Sequence, residues 1–174
     1  MTQRASAGEI PPAAEKLRRI LALDYGRKRI GMALSDELGL TAQPLGTLVR
    51  VNRQNDLRRL REACRTHGVT HIIVGHPLHM TGEAGEMANE AARFAARLEK
   101  ETGIGVELVD ERLTSWAAEQ IVAETKSAAS SKGRKRAPLD HIAAAVLLRD
   151  YLERTRHGSR AAVHGAVAEK DSAG

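Results

Sequence analysis

The sequence is poor in cysteine and in aromatic residues, and each shortage excludes a class of protein. Its one cysteine, Cys64, cannot form an internal disulfide, which is typical of proteins in the reducing cytosol. With one Trp, two Tyr and one Phe, the core has to be built from Leu, Ile, Val and Ala. No apolar run reaches the roughly 18 residues of a membrane span, and no charged-then-apolar leader opens the chain. We therefore expect a cytoplasmic protein that has no membrane partner.

The length and the two ends of the chain predict one folded domain between loose tails. The chain has 174 residues, which is the size of a single domain. Residues 1–16 are polar, and residues 156–174 are small and polar without an apolar period. Such ends are usually disordered. The predicted domain therefore covers residues 17–155.

The net charge of +5 permits a polyanionic partner, although a solvated basic surface gives the same value. One basic segment is the turn Arg27, Lys28 and Arg29. The other lies in "KSAASSKGRKRAP", which contains Ser, Gly and Pro but no acid. These cations are candidates for contacts with nucleic-acid phosphates, with a charged turn and a solvated linker as the alternatives. In the second segment the candidates are Lys132, Arg134, Lys135 and Arg136.

Apolar periodicity predicts an α/β fold. The stretch "ILALDYGRKRIGMALSD", residues 20–36, reads as a β-hairpin, and "THIIVG" is as apolar as a strand inside a parallel sheet. A meander followed by alternating helices and strands is typical of a mixed sheet with helices on both faces. The other predicted elements are a strand near 45–50, helices at 52–66 and 85–101, the strand "GVELVD", a helix from Thr114 or Ser115 to about 125, and a helix at 139–154.

Acidic residues stand at the ends of three predicted elements. Asp24 ends the first strand, Asp110 and Glu111 end the last strand, and Asp140 begins the last helix. Ligands of α/β sheets bind just beyond the carboxyl ends of the strands. The mixed sheet could therefore bring these acids to one rim.

Asp140 also begins the apolar stripe of its helix, which continues through Ala143, Ala144, Leu147 and Leu148. A carboxylate on a packing face is costly unless something pairs with it, and a metal ion would do so. Each acid also has an ordinary interpretation: a turn residue for Asp24, a favourable helix-dipole charge for Asp140, and a partner of Arg112 for the pair beside it.

Carboxylate oxygens suit Mg²⁺ or Mn²⁺ rather than zinc. Two such ions can stabilise the attacking and leaving oxygens of a phosphodiester. The acids therefore predict a metal-dependent nuclease, with the basic residues holding flanking phosphates.

Four segments resemble the YqgF family, also called RuvX, whose members are regarded as pre-16S rRNA nucleases and as Holliday-junction-resolvase-like proteins. The segments follow the order and spacing of the family and extend over about residues 20–153. They are "ALDYGRKRIGMALSD", "IIVGHPLHMTGEAG", "VDERLTSWAAE" and "KGRKRAPLDHIAAAVLLRDYL".

The resemblance implies a ribonuclease H-like fold, with a five-stranded mixed sheet in the order 3-2-1-4-5. It implies a nuclease that uses a divalent metal to process RNA during ribosome maturation, with precursor rRNA and ribosomal particles as partners. The implied active acids are Asp24, Glu111 and Asp140. Asp110 remains a second candidate metal ligand, because a strand end can aim either residue of the pair inward. Arg112 joins the candidates for phosphate contacts.

The sequence departs from the family in the loop "GHPLHMTG". His76, His79 and Thr81 replace the apolar residue, the Asn and the Asp that are usual there. The two histidines could contact substrate or could be solvent-exposed.

Three other functions fit parts of the same pattern. The fold also serves resolvases that cut branched DNA as dimers, so the chain could be a monomer or a homodimer. As a basic protein, the chain could instead be an assembly factor that binds rRNA without cleaving it. The pattern Asp24-x-Gly26 followed by Gly31 resembles the phosphate loop of actin-like ATPases and sugar kinases, which need two such domains and a longer chain.

Overall fold

A five-stranded mixed sheet forms the centre of the fold in the computed structural model, which describes residues 19–113 and 140–167. The strand order is β3-β2-β1-β4-β5, so the predicted fold class and strand order are confirmed. The strands are β1 (Ile20–Tyr25), β2 (Arg29–Ser35), β3 (Ala42–Val49), β4 (His71–His76) and β5 (Val106–Asp110); the helices are α1 (Arg53–His67), α2 (Glu86–Thr102) and α3 (Asp140–Val167).

The strand β1 lies at the centre of the sheet, between an antiparallel and a parallel neighbour. It pairs with β2 as the predicted hairpin, with Asp24 opposite Gly31. On its other side β4 runs parallel, and β5 runs parallel to β4. The carboxyl ends of β1, β4 and β5 therefore lie at one edge of the sheet. The third strand was predicted near 45–50, but it begins at Ala42.

The two faces of the sheet carry separate cores. Leu21 and Leu23 face the layer of α1 and α2, whereas Ile20 and Ala22 face α3. This alternation follows from the period of two along a strand. Because β1 is covered on both faces, its sequence is apolar without interruption until Asp24.

Local signals set the ends of α1 and α2. The side chain of Asn52 accepts a hydrogen bond from the backbone N–H of Asn55, and Gly68 ends α1 in a left-handed conformation, as predicted. The predicted stripe of α2 is confirmed at Ala91, Phe94 and Leu98, which are buried.

The last helix is longer than the sequence indicates. The sequence predicts that it ends at residue 154, but it runs to Val167. Arg and Ala in this stretch favour continued helix, since extending a helix costs far less than starting one. The helix predicted from Thr114 or Ser115, the tail at 1–16 and residues 168–174 lie outside the described residues. The division of the chain into one domain and two tails stays a prediction.

Within the part of the chain that the structure describes, none of the helices is long and apolar enough to cross a membrane.

Candidate active site

Asp24 lies at the end of the central strand, on the face of the sheet that packs against α3. Its side chain follows Ile20 and Ala22 on that face at a spacing of two residues. Burial raises the pKa of the Asp24 carboxyl from 3.8 to about 6, and the nearby charge of Asp140 adds to the increase. Asp24 is therefore a carboxylate held where ionisation is costly.

Asp140 is the first residue of α3, and its backbone lies directly over β2. A Cβ atom at Gly31 would overlap the carbonyl oxygen of Asp140, so the helix can approach Asp24 only because residue 31 is glycine. The Oδ2 atom of Asp140 is buried, and none of the described residues forms a hydrogen bond with it. Arg29 Nε lies 3.7 Å from it, which is an ion-pair contact without a hydrogen bond.

The structure separates the two acids at the end of β5. Val109 is buried in the α3 layer, so the alternation along the strand turns Asp110 away from that face and returns Glu111 to it. A Cβ atom at Gly75 would overlap the Glu111 carboxylate, which places this carboxylate over β4 beside Asp24. Burial raises the pKa of Glu111 from 4.5 to about 7, with contributions from the charges of Asp24 and Asp110.

Asp110 instead pairs with Arg112, which is the structural role that the sequence offers as the alternative to metal binding. Arg112 Nη2 donates to Asp110 Oδ2 at 2.6 Å, and its Nε donates to Oδ1 at 3.0 Å. These hydrogen bonds lower the pKa of Asp110. Of the two acids, Glu111 is the one whose pKa is raised, so a bound cation would offset the cost of its ionisation.

Asp24 thus lies between Glu111 and Asp140 on one face of the sheet, and it repels the charge of each. In residues 19–113 and 140–157, no three acidic, histidine or cysteine side chains converge closely enough to make a finished metal site. The unsatisfied oxygen of Asp140 and the raised pKa values of Asp24 and Glu111 nevertheless fit a divalent cation, which hard carboxylate oxygens prefer.

Four of the cations that we predicted to hold phosphates are in the described residues, and three of these, Arg27, Arg29 and Arg112, are engaged with acids. Arg27 Nη2 lies 3.0 Å from Glu86 Oε2 and 3.0 Å from Glu90 Oε1. Arg29 contacts Asp140 as described above, and Lys28 is exposed at the tip of the turn. Their binding of nucleic acid stays a prediction. The other four candidates, Lys132, Arg134, Lys135 and Arg136, lie outside the described residues.

Arg112 also holds the loop that follows β4. Its Nη1 donates to the carbonyl oxygens of His79 and Met80, each at 3.4 Å. The ring of His79 packs against Gly85, where a Cβ atom would come within 2.5 Å of Nε2. His76 is half-buried, and its charge helps to lower the pKa of Asp110. The loop is thus fixed beside the acids, with Met80 at its exposed tip.

Sequence reasoning missed two kinds of residue at this site. Gly31 and Gly75 make room for Asp140 and Glu111 on either side of Asp24, and the only signal was a glycine inside each strand pattern. Arg50 and Asp56 form a buried ion pair beneath the turn after Asp24. Nothing in their spacing distinguishes them from the many other charges of the chain.

Comparisons with known proteins find relatives over most of the chain. The RuvX family, described as Holliday junction resolvase, matches residues 18–154. A relative from Symbiobacterium thermophilum is 46% identical over 135 residues, covering 78% of this chain and 92% of the relative. One from Geobacillus kaustophilus is 44% identical over 140 residues, covering 79% and 99%. Both carry the name "Putative pre-16S rRNA nuclease".

Among solved structures, RuvC of T. thermophilus in complex with a Holliday junction substrate has a similar fold. The TM-score is 0.57 with 15% sequence identity, over 81% of this chain and 96% of that protein. At this identity the likeness concerns the fold alone.

Proposed function

This chain belongs to the RuvX family, and we propose that it is a nuclease that hydrolyses phosphodiester bonds in precursor 16S rRNA with the help of divalent metal ions. The observation that carries the proposal is the cluster of Asp24, Glu111 and Asp140 on one face of the sheet. Two of these acids have raised pKa values, and the third has a buried oxygen that forms no hydrogen bond within the part of the chain that the structure describes.

In this proposal Asp24 is the central metal ligand, because it lies between the other two acids on the central strand. Glu111 would hold an ion from the β4 side and Asp140 from the β2 side. Mg²⁺ or Mn²⁺ at this position would stabilise the charge on the attacking and leaving oxygens of the phosphodiester. The three side chains would have to draw together, and a cation that removes their mutual repulsion favours this movement.

The names of the relatives support the substrate class. Curated relatives from several bacteria are named as nucleases of pre-16S rRNA, and each of the two described above is covered over most of its length. We therefore propose a role in ribosome biogenesis in the cytoplasm, with precursor rRNA, free or in ribosomal particles, as the partner. Arg29 and Lys28, on the turn after Asp24, would contact the phosphates that flank the cut.

A second candidate is cleavage of branched DNA. The description of the family and the fold shared with RuvC favour it. The acids themselves do not distinguish RNA from DNA, because both present the same phosphodiester to the metal site. The choice between these substrates has to be made by experiment.

The test is cleavage of a precursor rRNA and a synthetic Holliday junction by the same preparation, in Mg²⁺ and then in Mn²⁺. We expect the rRNA to be cut, and Asp24→Asn, Glu111→Gln and Asp140→Asn each to lose more than about 99% of the activity, the size of effect that removal of a metal ligand produces. Asp110→Asn is the matched control, because it removes a neighbouring carboxylate that pairs with Arg112.

Each pattern of results has one meaning. Junction cleavage without rRNA cleavage would replace the proposed substrate by branched DNA. Full activity of Asp24→Asn, in a preparation freed of contaminating nucleases, would refute the metal site. Loss of activity in Asp110→Asn but not in Glu111→Gln would exchange the roles of these two acids.

A further inference from the structure

A largely buried arginine, Arg50, lies beneath the turn that follows Asp24. Its Nη1 donates to the carbonyl oxygen of Gly26 at 2.9 Å and to the hydroxyl of Tyr25 at 2.9 Å. The guanidinium carbon lies 4.8 Å from the centre of the Tyr25 ring, within range of a cation–π interaction. The side chain of Arg50 therefore contacts both residues that come directly after Asp24.

The backbone of Arg50 holds the other half of the same turn. Its N–H donates to the carbonyl oxygen of Lys28 at 3.0 Å, and the N–H of Gly26 donates to the carbonyl oxygen of Arg29 at 2.9 Å. The turn from Gly26 to Arg29 is thus closed by its own hydrogen bond. Arg50, which lies between β3 and α1, also donates to the carbonyl oxygens of Gly26 and Lys28 in this turn.

Arg50 is itself held by a hydrogen bond to a buried residue of α1. Its Nε donates to Asp56 Oδ2 at 3.1 Å, and the side chain of Asp56 is only 1% exposed. The other oxygen of Asp56 accepts from the backbone N–H of Val51 at 3.1 Å. On the hairpin side, the Tyr25 ring packs on Phe94 of α2 with centroids 4.7 Å apart. These contacts connect the turn to α1 and α2.

The position of this network indicates a role in the candidate active site rather than in the stability of the fold. A buried ion pair contributes little net stability, since desolvation offsets most of the attraction. Among the described residues, the Arg50 side chain donates hydrogen bonds to Asp56 and to the two residues after Asp24. The turn that it holds begins two residues after Asp24 and ends at Arg29, the ion-pair partner of Asp140.

We propose that Arg50 is a positioning residue that fixes the carboxylate of Asp24 relative to Asp140 and Glu111. The inference rests on the proposed function, because it assigns to Arg50 a role in that same site. Arg50 acts only through the turn and contacts none of the three acids itself in the described interactions. A displacement of about 1 Å at a reacting centre can cost about a hundredfold in rate, so a loosened turn should lower the rate of cleavage.

The variant that tests this role is Arg50→Lys. Lysine keeps a cation beside Asp56, but its single ammonium group cannot reproduce the fork that contacts Asp56, Tyr25 and Gly26 together. Arg61→Lys is the matched control, because Arg61 is an exposed arginine of α1 that pairs with Glu101 at 3.0 Å, far from the turn. Two measurements are made on each: hydrogen exchange of the Gly26 amide without metal, and kcat and KM for rRNA cleavage.

In Arg50→Lys we expect exchange at Gly26 to accelerate about tenfold and kcat to fall about tenfold to a hundredfold, with KM unchanged within about twofold. Arg61→Lys should match the wild type in both. If Arg50→Lys does not fold, Tyr25→Phe removes one of the same hydrogen bonds and should lower kcat about fivefold.

Wild-type exchange at Gly26, or wild-type kcat despite faster exchange, would overturn the positioning role. Failure of the wild-type protein to cut either nucleic acid would instead overturn the proposed function, so the two failures are distinguishable.

Discussion

Replacing Asp24 by asparagine should make the metal-free protein more stable while it removes the proposed activity. Burial and Asp140 raise the pKa of Asp24 from 3.8 to about 6. A pKa that is higher by about 2 corresponds to about 3 kcal/mol of cost for the ionised form, since each tenfold change in the equilibrium is worth about 1.4 kcal/mol. Because the carboxylate is partly open to solvent, which screens this cost, we expect about 2 kcal/mol.

The sign of the pH dependence follows from the direction of the shift. Below pH 3.8 the carboxyl of Asp24 is protonated in both the folded and the unfolded chain, and the cost is absent. As the pH rises, the unfolded chain loses its proton first, and the penalty is complete once the pH passes the folded pKa of about 6. Asparagine does not ionise, so the advantage of Asp24→Asn should grow between about pH 4 and pH 7.

The assay is urea unfolding of wild type and Asp24→Asn at pH 4 and at pH 8, with a chelator present. We expect the variant to gain about 2 kcal/mol at pH 8, or about 5 °C in melting temperature, and almost nothing at pH 4. Asp110→Asn is the control with the opposite sign, because Arg112 lowers the pKa of Asp110 and its loss should destabilise the protein at pH 8. A loss of stability in Asp24→Asn at pH 8, or an equal gain at both pH values, would refute the reasoning.

Three further predictions concern the surroundings of the acids. Gly75→Ala should place a methyl group against the Glu111 carboxylate and lower kcat for cleavage about tenfold or more, with little change in melting temperature. An unchanged kcat would show that cleavage does not depend on the position of Glu111. Gly31→Ala should lower the free energy of unfolding by about 2 kcal/mol, because the new Cβ would overlap backbone atoms of α3, which cannot move aside as a side chain can. Urea unfolding measures this change, and a stability equal to that of the wild type would contradict the close approach of α3 to β2. Replacing Lys132, Arg134, Lys135 and Arg136 by Glu should weaken rRNA binding and make its affinity less dependent on salt concentration, as titrations at several salt concentrations would show. An unchanged salt dependence would indicate that this segment is a solvated linker that does not contact phosphates.

Local patterns were sufficient to predict the framework of the site. The hairpin from residue 20 to residue 36 follows from apolar strands around a charged glycine turn, and the structure confirms it. Asp24 and Asp140 were noticed because each acid interrupts or begins an apolar pattern. The structure brings both to the same face of the sheet, near enough for the charge of Asp140 to raise the pKa of Asp24.

Contacts between distant parts of the chain could not be predicted in the same way. Which of Asp110 and Glu111 faces Asp24 depends on which residues of β5 face α3. It also depends on a turn of 3₁₀ helix, Glu111–Leu113, that begins where the strand ends. The basic turn looked free to bind phosphates, but Arg27 pairs with Glu86 and Glu90 of α2, which only the tertiary fold brings near. Neither fact leaves a periodic signal in the sequence.

The most direct test of the central claim is a crystal structure of the protein soaked with Mn²⁺, with the metal located by its anomalous scattering. The account predicts at least one ion within about 2.5 Å of carboxylate oxygens from Asp24, Glu111 and Asp140. Crystals of Asp24→Asn, treated in the same way, should show much weaker density there. Manganese bound only elsewhere, or bound equally in wild type and Asp24→Asn, would contradict a metal-dependent nuclease site at these acids.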